Sequence, residues 1–298
     1  MCTRSHRQFC IRSFLPALLL VVSSALSGEE PKRHPLWRVQ SGEHTMYLLG
    51  SIHALGSGEY PLPGELTASF DKADVAVFEI SLDSSSEVMA QRLILETGRY
   101  PRGRTLRQSV SDSAYRLAAE RFRIAGWNIR TLDSFKPWMV AITLLGLELQ
   151  RLGLSPASGV DRFFFNRARG SGKKVEFLET PEFQVGLMNG FSEKVQEAFL
   201  LSSAREANRM RNDIRALVRA WREGNGSLLD SLLNEDADDF PEVFQKMLYE
   251  RNNDWLRHIE GYLQGSATYI VVVGAAHLVG PQGVVELLRK KGYLVSQM

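Results

Sequence analysis

Two histidines, each three residues beyond a glycine that closes an apolar run, are the groups in this sequence best placed for chemistry. "YLLGSIHALG" carries Gly50 and His53, and far downstream "YIVVVGAAHLVG" repeats the layout with Gly274 and His277. Between them, Glu79 lies near the end of the apolar "ADVAVFEIS", and Glu179 directly follows "KVEFL". Two imidazoles and a carboxylate that leave a coordination position open make a catalytic metal arrangement. It suits zinc, manganese, cobalt or ferrous iron, which local spacing does not separate. A divalent ion held this way would lower the pKa of water towards neutrality and polarise a carbonyl. Glu179, where it is not a ligand, could act as general base on that water.

Each element also has a plainer reading. One Gly-x-x-His after a strand equally marks a structural histidine. A glutamate within an apolar strand needs a partner for its charge, and a core salt bridge supplies one as well as a functional site does. The other histidines are weaker candidates: His6 lies in the leader, His34 in a polar lead-in, His44 in a turn, and His258 on an exposed-looking helix. No Gly-x-Ser-x-Gly elbow points to a serine hydrolase, and no His-Glu-x-x-His helix points to a zincin.

These residues act together only if their strands are parallel neighbours, because ligands of open α/β sheets collect outside the carboxyl ends of the strands. The pattern predicts a hairpin from strands over 36–40 and 45–49, a helix over 64–73, and a buried strand over 75–80. A strand is expected over 175–178, and one long amphipathic helix over 195–221. Helices are expected over 240–251 and 252–263, then a strand near 269–273, a helix over 283–290 and an edge strand over 293–296. The expected fold is α/β: a central mixed sheet with strands from both termini, and a helical middle, about 86–264, as its cap. Residues 36–298 would form a single domain.

The first 27 residues read as a cleaved export signal: Arg4, Arg7 and Arg12 precede an apolar run over 14–22, then Ala25-Leu26-Ser27. That run is far short of the roughly 20 residues of a spanning helix. The expected location is therefore periplasmic or secreted, with no stable membrane insertion after cleavage. Cys2 and Cys10 would leave with the signal, taking disulfides and thiolate chemistry with them. Lys+Arg falls from 36 to 33 against 34 Asp+Glu, so the formal charge moves from +2 to −1. This balance gives no reason to expect nucleic acid as a partner. A peptide or small-molecule substrate is expected instead.

The chain resembles the TraB/GumN family, which is related to the TIKI proteases, from about residue 36 to 295. The resemblance rests on "LWRVQSGEHTMYLLGSIHAL", "ADVAVFEIS", "GVDRFFFNRARGSGKKVEFLET", "YERNNDWLRHI" and "YIVVVGAAHLVGPQGVVELLRKKGY", in that order. It implies an α/β fold with both Gly-x-x-His motifs at one site. TIKI-like members are regarded as manganese- or cobalt-dependent metallopeptidases, so it implies metal-ligand roles for His53, Glu79 and His277. Asp161, Glu179, Arg251 and Asn252 match further positions of the family. The planar donors of Arg251 suit holding a carboxylate or stabilising an oxyanion; a plain ion pair tying a helix to the sheet is the alternative. Besides the metallopeptidase, two other functions are open: a metal-free esterase or lactonase with a histidine base, and a peptide-binding protein without turnover.

Overall fold

The computed structural model describes residues 33–298 apart from Asn208 and Asp236, so the predicted leader lies outside the described residues. Six strands form one mixed sheet: β1 (Leu36–Ser41), β2 (His44–Ser51), β3 (Val75–Phe78), β4 (Lys174–Phe177), β5 (Tyr269–Gly274) and β6 (Leu294–Gln297). Their order across the sheet is β4-β3-β5-β2-β1-β6. A tight turn at Gly42, with φ +58°, joins β1 and β2 as an antiparallel hairpin. That left-handed conformation is one glycine adopts without a Cβ clash. β6 adds to the outer side of β1, antiparallel.

The three remaining strands run parallel with β2: β5 pairs with β2 on one side and β3 on the other, and β4 pairs with β3. Val75, Ala76, Val77 and Phe78 are all buried, as are the last five residues of β5. Continuous apolar runs of this kind mark strands covered on both faces. The α/β class and the mixed sheet with strands from both ends of the sequence are thus observed.

Between β2 and β5 the chain is mostly helical. It runs through α1 (Gly64–Lys72), α2 (Ser84–Thr97), α3 (Leu106–Ser109), α4 (Asp112–Ile124), α5 (Pro137–Arg151) and α6 (Val160–Ser171). After β4 come α7 (Pro181–Asn189), α8 (Glu193–Glu206), α9 (Met210–Arg222), α10 (Gly226–Leu233), α11 (Pro241–Phe244) and α12 (Glu250–Tyr262). Helix α13 (Val284–Lys290) separates β5 from β6. Two hydrophobic clusters result. One surrounds the sheet, with Phe70 of α1 packed on Phe164 of α6 at 4.7 Å between ring centroids, and Trp221, Trp255 and Leu288 arriving from α9, α12 and α13. The other lies among the helices, where Phe122, Leu144 and Leu200 of α4, α5 and α8 are fully buried.

Three element boundaries differ from expectation. β3 stops at Phe78, so Glu79 stands just beyond the strand, where side-chain and backbone donors reach its charge. The long helix expected over 195–221 is two, α8 and α9. The two helices expected over 240–263 are instead one run, because a π turn at Gln245–Tyr249 links α11 directly to α12. "YERNNDW" holds no glycine or proline to stop a helix at Arg251.

Candidate functional site

The carboxyl ends of the four parallel strands present the sequence candidates in one row. Glu179 follows β4 by two residues, Glu79 follows β3 by one, His277 ends the 3₁₀ turn Ala275–His277 after β5, and His53 follows β2 by two. Parallel pairing extends past the strands themselves, since Glu179 N donates to Glu79 O at 2.8 Å. All five predicted residues, Arg251 included, belong to one connected group of side chains.

Glu79 is the hub. Its Oε1 accepts from Gly274 N at 2.7 Å and lies 3.9 Å from His53 Nε2, while its Oε2 accepts from Arg251 Nη2 at 2.8 Å. Arg251 also grips Glu179 with two nitrogens, Nε to Oε1 at 2.7 Å and Nη2 to Oε2 at 2.8 Å. Its Nη1 donates to the Met247 carbonyl within the π turn. Trp255 Nε1 donates to Glu179 Oε1 at 2.8 Å, and Gln184 Nε2 bridges Glu179 and Glu79 at 3.0 and 3.2 Å. Both oxygens of Glu179 are therefore engaged, which speaks for a fixed anchor of Arg251 and against a mobile base.

Both imidazoles are oriented through Nδ1. His53 Nδ1 lies 3.3 Å from Asp161 Oδ2, and His277 Nδ1 lies 2.6 Å from Asn252 Oδ1. Asn252 is itself fixed, its Nδ2 donating to the Gln282 carbonyl at 2.9 Å. With each Nδ1 so occupied, each Nε2 is the nitrogen left to act, the arrangement in which histidine ligands are usually supported. The His277 ring packs on Trp255 at 4.3 Å and is buried, whereas the His53 side chain keeps 61% of its surface open.

Electrostatics separates the two rings. Desolvation pushes His277 down to about 3, overcoming the attraction of Glu79. At His53 desolvation acts against the charge too, but the contact and charge of Asp161 and the charge of Glu79 lift the ring to about 9, a rise that solvent around its open side chain screens. Desolvation would raise Glu79, yet His277, His53, Arg251 and the Gly274 N–H together bring it to about 2.

Glycine makes room at two points. A Cβ on Gly274 would lie 3.0 Å from His53 Nε2 and 3.4 Å from Glu79 Oε1, and one on Gly159 would lie 2.4 Å from the His53 carbonyl oxygen and 2.8 Å from Asp161 Oδ1. Among the described residues no group of three His, Cys, Asp or Glu side chains stands in a ligating arrangement. Ligands sharing one first-row ion at about 2.0–2.2 Å each lie roughly 3–3.5 Å apart. The 3.9 Å between His53 Nε2 and Glu79 Oε1 is slightly wider than that.

The sequence reading missed Gln184 and Trp255. Trp255 stands one helical turn after Arg251, a spacing that puts both on one face and could have found it; Gln184 carried no local signal. His34, expected in a polar lead-in, is buried and contacts Glu65 Oε2 at 3.3 Å. His44 and His258 are exposed and stand apart from the site.

The model of the TraB/PrgY/gumN family matches residues 35–297. The chain belongs to this family. A relative from Escherichia coli, named as an uncharacterized protein YbaP, is 22% identical over 83% of this chain and 89% of its own length. An uncharacterized protein of Treponema pallidum is 20% identical over 96% of this chain and 90% of its own length. A protein named metalloprotease TIKI homolog, from Amphimedon queenslandica, is 24% identical over 59% of this chain and 38% of its own length. No solved structure matches the chain. Family membership and the distant metalloprotease homologue make a hydrolase a possible function for the chain.

Proposed function

We propose that this TraB/PrgY/gumN protein is an exported metal-dependent hydrolase, a peptidase of the kind the TIKI homologue's name describes. His53 and His277 through Nε2, and Glu79 through its carboxylate, would hold a manganese or cobalt ion; zinc also suits two nitrogens and an oxygen. The observation that carries this reading is the charge of the site. Glu79 and Glu179 pair with one guanidinium, that of Arg251, and Asp161 adds a third carboxylate beside His53. With His53 protonated and His277 neutral the metal-free group sums to −1; once His53 gives up its proton to coordinate, it sums to −2, which a dication would neutralise. The pocket beside Gly274, bounded by His53 Nε2 and Glu79 Oε1, is space that any side chain there would fill. When bound, the ion would lower the pKa of water and polarise the scissile carbonyl.

The remaining roles belong to the protein. Asp161 and Asn252 orient the two rings, and Arg251 holds Glu79 with Glu179 as its counter-anchor, a positioning duty in place of the general-base role first expected of Glu179. Substrate would be a peptide or another small acyl compound. Export rests on the leader over residues 1–27, and no helix among the described residues is long and apolar enough to cross a membrane.

Elemental analysis and calorimetric titration with manganese and cobalt test the reading, with His53→Ala, Glu79→Gln and His277→Ala beside the unaltered protein. About one ion per chain, lost in each variant, together with peptide hydrolysis that stops in chelator, is the expected outcome. Absence of uptake by the unaltered protein would end it. A second reading draws on the separated histidines, since a protonated His53 and a neutral His277 are an acid and a base set apart by their surroundings. Hydrolysis that persists in chelator and disappears in either histidine variant would favour that metal-free esterase.

A further inference from the structure

Helix α2 leaves a structural question open. None of its 14 residues is buried, whereas a helix of a folded domain ordinarily covers an apolar stripe. It is nevertheless well anchored. Asp83 caps its start, accepting from Ser86 N at 2.8 Å and from the hydroxyls of Ser81 and Ser85 at 2.6 and 2.7 Å. Arg162 reaches from α6 to Glu87 and to the Leu82 carbonyl, and α2 lies along α7.

The stripe Glu87, Ala90, Gln91 and Ile94, at helical spacing, faces a cavity of about 370 Å³ instead of packed core. Ile80, Leu82 and Pro156 continue that wall, and His53, Glu79 and Asp161 also line the space. Cavities that take whole small ligands begin at about 300 Å³, so one large side chain fits with room for the backbone that carries it.

We infer that the cavity under α2 is a subsite for a large apolar side chain, branched or aromatic, of the peptide residue adjoining the hydrolysed carbonyl. Ala90 and Ile94 set the size accepted. Glu87 is paired with Arg162, which lines the cavity too, and the acidic charge of Glu79 and Asp161 beside it disfavours an acidic side chain. The inference rests on the hydrolase reading for the carbonyl's fate but not for the binding itself.

The test is equilibrium binding of acetyl-X-amide probes, with X as Gly, Leu, Phe, Lys or Asp, to chelator-treated protein followed by NMR. Leucine and phenylalanine probes should bind at least about tenfold tighter than the glycine and aspartate probes, the discrimination an apolar pocket commonly provides. Ala90→Trp should erase that preference by filling the space, and Ile94→Ala should shift it from leucine towards phenylalanine. Equal binding of the glycine and leucine probes, binding of none, or a preference untouched by both substitutions overturns the subsite. Because no metal or turnover enters the measurement, a side-chain preference without hydrolysis leaves the subsite standing and removes the hydrolase. Hydrolysis without preference does the reverse.

Discussion

His53 and His277 face the same carboxylate yet are driven in opposite directions, and this gives metal-free protein a pH signature. His53 is raised from 6.5 to about 9, so its stabilisation is complete below pH 6.5 and is lost as pH climbs through 9. His277 is lowered to about 3, so below pH 6.5 the unfolded chain takes up a proton that the native site refuses, and stability falls with acid. Urea midpoints of chelator-treated protein should therefore peak near pH 6.5–7. His277→Gln should flatten the acid limb between pH 6.5 and 4.5, below which the depressed Glu79 still loses stabilisation, and His53→Gln should flatten the alkaline limb; unchanged limbs in both would contradict the assignment. Arg251 gives a second prediction. Arg251→Met strands Glu79 and Glu179, whose side chains are 11% and 6% exposed, and should cost about 3–5 kcal/mol in denaturant unfolding. Arg251→Lys should recover part of this, as it keeps the charge and loses the fork. The histidines and Glu79 were legible because each sits at the end of an apolar run. Which role Arg251 plays was not, since its two partners come from strands with no sequence proximity to it.

At the scale of elements, two glycines separate stability from function. Gly274 has an ordinary φ of −52°, so Gly274→Ala strains no backbone, but its methyl would press on His53 Nε2 at 3.0 Å. The expected result is a melting temperature near that of the unaltered protein, with manganese uptake reduced at least tenfold. Gly159→Ala is different, because the methyl would strike a carbonyl of the backbone itself. A loss of about 1–3 kcal/mol is expected on thermal or denaturant unfolding. The elements themselves were largely visible in the periodicity, with short strands, β2 and β5 carrying a glycine at their ends. What escaped was the join between α11 and α12. A π turn leaves no breaker residue behind, so polar "RNND" looked like a boundary although Arg251 and Asn252 lie on a continuous helix. The break between α8 and α9 escaped for the converse reason: the apolar spacing runs on across it.

For the molecule as a whole, strand order decides how the site is held together. β5 stands between β2 and β3, which do not touch each other as strands. A chain ending before Thr268 should retain at most the β1–β2 hairpin and the β3–β4 pair, and show no cooperative unfolding transition by circular dichroism. Sequence could supply the strands at both termini and the expectation that they share a sheet. It could not supply their order, because pairing between strands so far apart is set by the packing of everything between them. The same wedge position governs timing. During synthesis neither flank of the sheet can find its neighbour until residues 269–274 have emerged, so the sheet closes only when almost the entire length is made, although the helical cluster of α4, α5 and α8 needs no strand. A site assembled that way, from residues beyond β2, β3, β4 and β5 together, does not exist while the chain is still being made.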